Sequence, residues 1–129
     1  MKNFILLIFL GYGYSKMSKK EQAQVGKFIE EYLFNRNEIS LIIFLVDIRH
    51  KPTANDKLMY NYVISANLPF IIVANKADKI AVTKVDDSVK TLQKELNPIG
   101  DIPIFPFSSE RKIYTDNMWE YIDNFFNKS

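Results

Sequence analysis

Three uninterrupted apolar runs punctuate the chain: Phe4–Leu10 (FILLIFL), Leu41–Val46 (LIIFLV) and Phe70–Val73 (FIIV). Continuous apolar runs of this length, bounded by polar residues, predict strands buried on both faces, as in a parallel sheet. A fourth stretch, Ile102–Phe107, carries Pro103 and Pro106. Proline cannot donate to a ladder, so this stretch predicts an edge strand. Between the runs the period changes from strand to helix. Ser18-Lys19-Lys20-Glu21 is a capping box that opens a helix with Val25, Phe28, Ile29, Tyr32 and Leu33 on one face, ending near Asn35-Arg36-Asn37. Thr53 is the N-cap expected for a helix over Ala54–Ala66, with Leu58, Met59, Tyr62 and Val63 inward. Thr83 is expected to cap a third helix, with Val85, Val89, Leu92 and Leu96 aligned and Asn97-Pro98-Ile99-Gly100 as its stop. A last helix, Asn117–Phe126, presents Met118, Trp119, Ile122, Phe125 and Phe126; Trp119 and Phe125 are expected in the core. Strand and helix thus alternate four times. Four βα units in succession predict an α/β fold with a parallel sheet and helices on its faces.

Composition narrows the chemistry. At 129 residues the chain is one domain with room for a core. It has no cysteine, which excludes a disulfide frame, a thiolate metal site and a cysteine nucleophile, and fits a cytoplasmic setting. Its single histidine, His50, excludes a multi-histidine metal site, and Asp86-Asp87 lacks partner ligands and reads as a helix N-terminal charge pair. No metal site is predicted. A net charge of +2 is too small to argue for nucleic acid. Met1-Lys2-Asn3 before Phe4–Leu10 has the outline of a short signal peptide, but no small-x-small site follows and the run cannot span a bilayer. A buried strand is the expectation there.

Candidate chemistry gathers in the loops after the strands: Gly11–Tyr14, Asn75–Asp78 and Ser108–Ser109. In open α/β sheets, ligands bind at the carboxyl ends of the strands. Asn75-Lys76-Ala77-Asp78 suits a guanine base. A carboxylate at Asp78 accepts two parallel hydrogen bonds from the ring N–H and the exocyclic amino group, which adenine does not offer in that arrangement. The Lys76 stem can lie over the flat base, and Asn75 can tie the loop to its neighbours. Arg49 and His50 suit either a contact with partner or nucleotide or a structural role in their loop. Lys16, Lys19, Lys20 and Lys27 give the first helix a basic side, read as a solvated face before an RNA-facing one.

The ordered set GYGY(S)K, DIRHKPT, NKAD and FSSE resembles the EngB (YihA/YsxC) family of bacterial GTP-binding proteins, within the TrmE-Era-EngA-EngB-Septin-like P-loop GTPases. The resemblance runs from about Leu7 to the C-terminus. It implies a partial G domain: a parallel three-layer sandwich lacking the first two strands and first helix, with residues 1–129 as the C-terminal two-thirds of an EngB-type G domain. It implies binding of GTP and GDP, a role in large ribosomal subunit assembly and in normal cell division and septation, the large subunit or its precursor as partner, and no membrane or DNA partner. It assigns Asn75, Lys76, Ala77 and Asp78 to base recognition. Phe107, Ser108 and Ser109 match the second base-contacting loop, whose backbone N–H groups face the guanine oxygen in the family, and Gly11 the switch II glycine whose backbone N–H meets the γ-phosphate.

The departures are specific. Where the family has D-x-P-G, this chain has Ile8-Phe9-Leu10-Gly11, so the aspartate of the magnesium shell is replaced by Ile8, and magnesium, expected in the family, lacks its ligands here. No G-x-x-x-x-G-K-[ST] loop occurs in the 129 residues. Hydrolysis by this chain is therefore not expected, and no catalytic residue is assigned. In the family's strand order, 2-3-1-4-5-6, a missing strand would leave a gap between Phe4–Leu10 and Leu41–Val46. That gap predicts poor autonomous stability unless the two strands pair directly. Two function classes follow: a guanine-nucleotide-binding protein of the EngB type, or a non-enzymatic α/β interaction module, ribosome-directed or a remnant, without nucleotide binding.

Overall fold

The computed structural model describes residues 4–9, 18–35, 39–65, 67–96, 102–108, 110 and 112–127. Its elements are β1 (Phe4–Phe9), α1 (Lys19–Asn35), β2 (Ile39–Asp47), α2 (Ala54–Ser65), β3 (Phe70–Asn75), a 3-10 turn (Ala77–Lys79), α3 (Val82–Leu96), β4 (Ile104–Pro106) and α4 (Lys112–Asn127). The four strands form one parallel sheet in the order β1-β2-β3-β4. This is the α/β architecture expected from the alternating runs.

The two strands expected to flank a gap pair with each other. Ile5–Phe9 are in register with Leu41–Leu45, with one irregularity between Phe4 and Ile5. Direct pairing satisfies backbone groups that would otherwise line an open seam, and buried N–H and C=O groups without partners are costly. Of the two arrangements open to the sequence, the continuous sheet is the one adopted.

Strand alternation divides the core. Ile42, Phe44 and Val46 of β2 and Ile72 and Ala74 of β3 face α2 and α3, meeting Met59, Tyr60, Val63, Val85, Leu92 and Leu96. Leu41, Ile43, Ile71 and Val73 face the other way, toward Met118 and Ile122 of α4. Right-handed crossovers between sequential neighbours place their helices on one face. Accordingly α1 lies beside α2, while α4, following the last strand, covers the opposite face. Helix, sheet and helix make the three layers.

Several boundaries differ from the sequence reading, each for a local reason. The fourth strand is regular only over Ile104–Pro106. It lies at the sheet edge, and its bonds to β3 run from Ile72 N–H to the Pro103 carbonyl (3.0 Å) and from Phe107 N–H to the Ala74 carbonyl (2.8 Å). The missing donor of Pro106 therefore falls on the outer side. Thr83 is not a cap: α3 starts at Val82, which puts Thr83 inside the first turn. The last helix begins at Lys112, five positions before Asn117, because Tyr114 in its first turn packs against the α2–α3 core. Trp119 is 52% exposed rather than core, since Met118 and Ile122 occupy the sheet-facing stripe. Leu58 is likewise 51% exposed, and Tyr60 takes an inward place that the sequence reading missed. The Tyr60 ring meets Phe44 edge-on at 5.4 Å and Phe70 at 5.7 Å. Val85, Leu92 and Leu96 are buried and Val89 packs against them, as the spacing predicts. The apolar side chains assigned to α1, and Tyr62 of α2, lie outside the described residues.

The other two expected caps, at Ser18 and Thr53, are present. Glu21 N–H donates to Ser18 Oγ (3.1 Å) and Ser18 N–H to Glu21 Oε1 (3.2 Å). At α2 the box is also reciprocal: Asp56 N–H donates to Thr53 Oγ1 (3.1 Å), and Thr53 N–H to Asp56 Oδ2 (2.9 Å). Asp56 is buried, so its carboxylate depends on these partners. Thr53→Ala is expected to cost about 1 kcal/mol of stability, read as a lower urea midpoint with an unchanged slope. An unchanged midpoint would mean the box is redundant. Among the described residues, no helix is long and apolar enough to cross a membrane.

Candidate functional site

The parallel ladder brings the ends of β2 and β3 level. Asp47 is the register partner of Asn75, and Ile48 N–H extends the ladder to the Asn75 carbonyl at 3.0 Å. Everything beyond this line is loop. The Asn75–Asp78 loop therefore leaves the sheet from a rigid base beside the Asp47–Thr53 loop on one side and the 107–110 segment on the other.

Each residue of the loop has a distinct structural task. Asn75 Oδ1 accepts the Lys76 N–H at 2.8 Å, tying the loop to the strand end as its sequence position suggests. Lys76 adopts the left-handed conformation (φ 67°, ψ 35°), which is disfavoured for a residue with a Cβ. The turn reverses the backbone there and sends Ala77 inward, where it is buried in the α2–α3 core. Ala77 N–H donates to the Phe107 carbonyl at 2.9 Å. This stitches the two loops together two residues past the sheet.

Asp78 is held from the second loop. Ser108 Oγ donates to Asp78 Oδ1 at 3.0 Å and accepts the Glu110 N–H at 3.1 Å. Ser108 is fully buried, so its hydroxyl is oriented by both partners. Lys79 Nζ lies 3.6 Å from Asp78 Oδ2. Partial burial pushes the Asp78 carboxyl up, but the Ser108 hydroxyl, its own backbone and the Lys79 charge outweigh this and hold it below the ordinary 3.8. The result is an ionised, oriented acceptor at the sheet's carboxyl edge. Ser108 thus has a side-chain role where the sequence reading gave it a backbone one. Ser109, Gly11 and the Gly11–Tyr14 loop lie outside the described residues.

The β2 end contributes a charged cluster that sequence reasoning did not assemble. Asp47, with a side chain 14% exposed, accepts Arg49 N–H (2.9 Å) and Arg49 Nε (3.0 Å) on Oδ1, and Arg49 Nη2 on Oδ2 (2.8 Å). Lys76 Nζ stands 3.8 Å and His50 Nε2 4.0 Å from the same Oδ2. Burial raises the Asp47 carboxyl; the Arg49 hydrogen bonds and the Arg49 and His50 charges overcome this and hold it below 3.8. Of the two roles open to Arg49, the structure shows the structural one. The signal was present as Asp-x-Arg at a strand end, a spacing that closes a local ion pair.

Both depressed carboxyls carry the same sign of pH dependence. Their stabilisation is complete above the ordinary carboxylate range and is lost as pH falls through their lower folded values, below 3.8. Ser108→Ala removes the donor on Asp78 and is expected to raise its carboxyl toward 3.8. Carbon-13 NMR titration of the side-chain carboxyl reads this directly; an unmoved midpoint would mean that Ser108 does not hold Asp78. Among the described residues, no group of three or more histidine, cysteine, aspartate or glutamate side chains is placed to hold a metal ion.

Known structures define the class first. The fold matches that of a probable GTP-binding protein EngB (TM-score 0.70, 17% identity, 88% of this chain and 71% of that one). It also matches translation elongation factor SelB from Methanococcus maripaludis in its apo form (TM-score 0.65, 15% identity, 99% of this chain and 35% of that one). The architecture is thus an α/β fold of the kind found in these translation-factor and GTP-binding proteins. At the sequence level the chain is 43% identical over 114 residues to a probable GTP-binding protein EngB of Shouchella clausii, covering 88% of this chain and 58% of the relative. It is 39% identical over 119 residues to the EngB of Limosilactobacillus reuteri, covering 92% and 61%. No protein-family model matches. The chain is thus similar to EngB proteins along about nine-tenths of its own length, and it spans about three-fifths of the length of these curated relatives.

Proposed function

We propose that this chain recognises the guanine base of GTP and GDP through the edge formed by Asn75–Asp78 and Phe107–Ser109. The observation that carries the reading is the Asp78 carboxylate, ionised and oriented by buried Ser108. Asp78 accepts the ring N–H and the exocyclic amino group, the Lys76 stem covers the base, and Asn75 and Ala77 fix the loop to the strand and to Phe107. The Ser108 backbone is the donor for the guanine oxygen, and Ser109 and Gly11 are assigned to the second base loop and the γ-phosphate by their match to the family motifs alone. The residues present fit a guanine, because the acceptor is charged, shielded and rigidly placed. Residues 1–129 correspond to the C-terminal two-thirds of an EngB-type G domain, and the biological role is that of the family: large ribosomal subunit assembly, cell division and septation, in the cytoplasm. The 129 residues hold no G-x-x-x-x-G-K-[ST] sequence, so the reading is of base recognition and not of hydrolysis.

The test is competition. A fluorescent GDP analogue bound to the chain is displaced by GDP and GTP but not by ADP or ATP. Absence of binding, or equal displacement by adenine nucleotides, would favour a non-enzymatic interaction module instead.

A further inference from the structure

We propose that Asp47 is the positioning residue of Lys76, holding its side chain over the base site from the end of the neighbouring strand. The inference rests on the base-recognition reading only for its consequence in binding; the contact itself is independent of nucleotide.

Three observations converge on it. Asp47 and Asn75 are register partners, so the distance between the Asp47 carboxylate and the loop is set by the sheet rather than by loop conformation. Asp47 is immobilised: Arg49 grips it through its backbone N–H and two guanidinium nitrogens. Its Oδ2, which accepts Arg49 Nη2 and has His50 Nε2 at 4.0 Å, is fixed at the position that Lys76 Nζ approaches. Lys76, in turn, has a left-handed backbone pinned by Asn75 Oδ1, and its Nζ reaches back to within 3.8 Å of that Oδ2. A four-carbon stem on an exposed loop samples many rotamers, and ordering it on binding would oppose affinity. Fixing the ammonium at Asp47 leaves the stem laid across the loop before a base arrives. Asp47 touches no base in this arrangement and acts only through Lys76.

Lys76 is 51% exposed and the contact is long, so its effect is modest. Asp47→Asn is expected to weaken GDP and IDP binding equally, by about threefold, the range of a half-exposed ion pair. IDP lacks the exocyclic amino group that Asp78 reads, so the GDP-to-IDP preference stays unchanged. In a Lys76→Met background, Asp47→Asn has no further effect. Without nucleotide, the Lys76 Cε resonance and its relaxation move in Asp47→Asn to those of the exposed Lys84 and Lys90, and the Asp47 carboxyl resonance shifts reciprocally in Lys76→Met. Lys76 signals that stay put in Asp47→Asn, or an undiminished loss of affinity in the Lys76→Met background, overturn the proposal. If the wild-type chain binds no GDP, base recognition fails, while the Lys76 resonance still decides whether Asp47 holds it.

Discussion

On the proposed base-recognition reading, replacing Asp78 with asparagine is expected to lower GDP affinity on the order of a hundredfold, because two hydrogen bonds to a charged acceptor are lost at once. The amide nitrogen then presents donors to the guanine N–H and amino group, so attraction becomes repulsion. Xanthine carries a carbonyl where guanine carries the amino group, and the variant gains relative preference for XDP. The folded state changes little. The Ser108 hydroxyl, which donates to Asp78 Oδ1 at 3.0 Å, finds an acceptor on the amide oxygen as well. Displacement titrations with GDP, XDP and ADP, alongside a thermal melt, separate the two effects. Retained guanine preference in Asp78→Asn would sink the assignment of this loop.

The largest effect on stability is expected at Phe44. Its side chain is fully buried at the centre of β2 and packs edge-on against Tyr60, within the cluster that joins the sheet to α2 and α3. Phe44→Ala removes most of a ring and leaves a cavity, at a cost of about 3–5 kcal/mol. That is a large share of the stability of an ordinary domain, roughly 5–15 kcal/mol. Midpoints of urea unfolding, followed by far-ultraviolet circular dichroism, measure it. Trp119→Phe is the companion control: on the exposed side of α4 it is expected to change stability by less than about 0.5 kcal/mol. A Phe44→Ala loss no larger than the Trp119→Phe loss would show that the α2–α3 face does not carry the core.

The order of strands and helices was legible because each element left a local mark. Uninterrupted apolar runs gave β1 to β3, prolines marked β4 as an edge, and Ser18 and Thr53 announced α1 and α2 through capping chemistry that involves only neighbours in sequence. The errors fell where a local signal had rivals. Trp119 and Met118 are adjacent apolar residues on α4, and only the position of the sheet decides which one faces it. Thr83 was a plausible cap, but α3 begins at Val82, two residues before the start that such a cap would set. That Asn75–Asp78 forms a polar loop at the end of a buried strand was legible by composition and placement. Its anchors were not.

What the sequence determined by itself, then, was which segments form strands and helices, how they alternate, and that Asn75–Asp78 follows a buried strand. These depend on side-chain period and on bonds between residues a few positions apart. The tertiary structure alone decided that β1 closes directly onto β2, that Ser108 reaches Asp78 across 30 positions, and that Asp47 stands beside Lys76. These contacts join residues distant in the chain, and their existence depends on strand order and register, which set what lies next to what only after the sheet has formed.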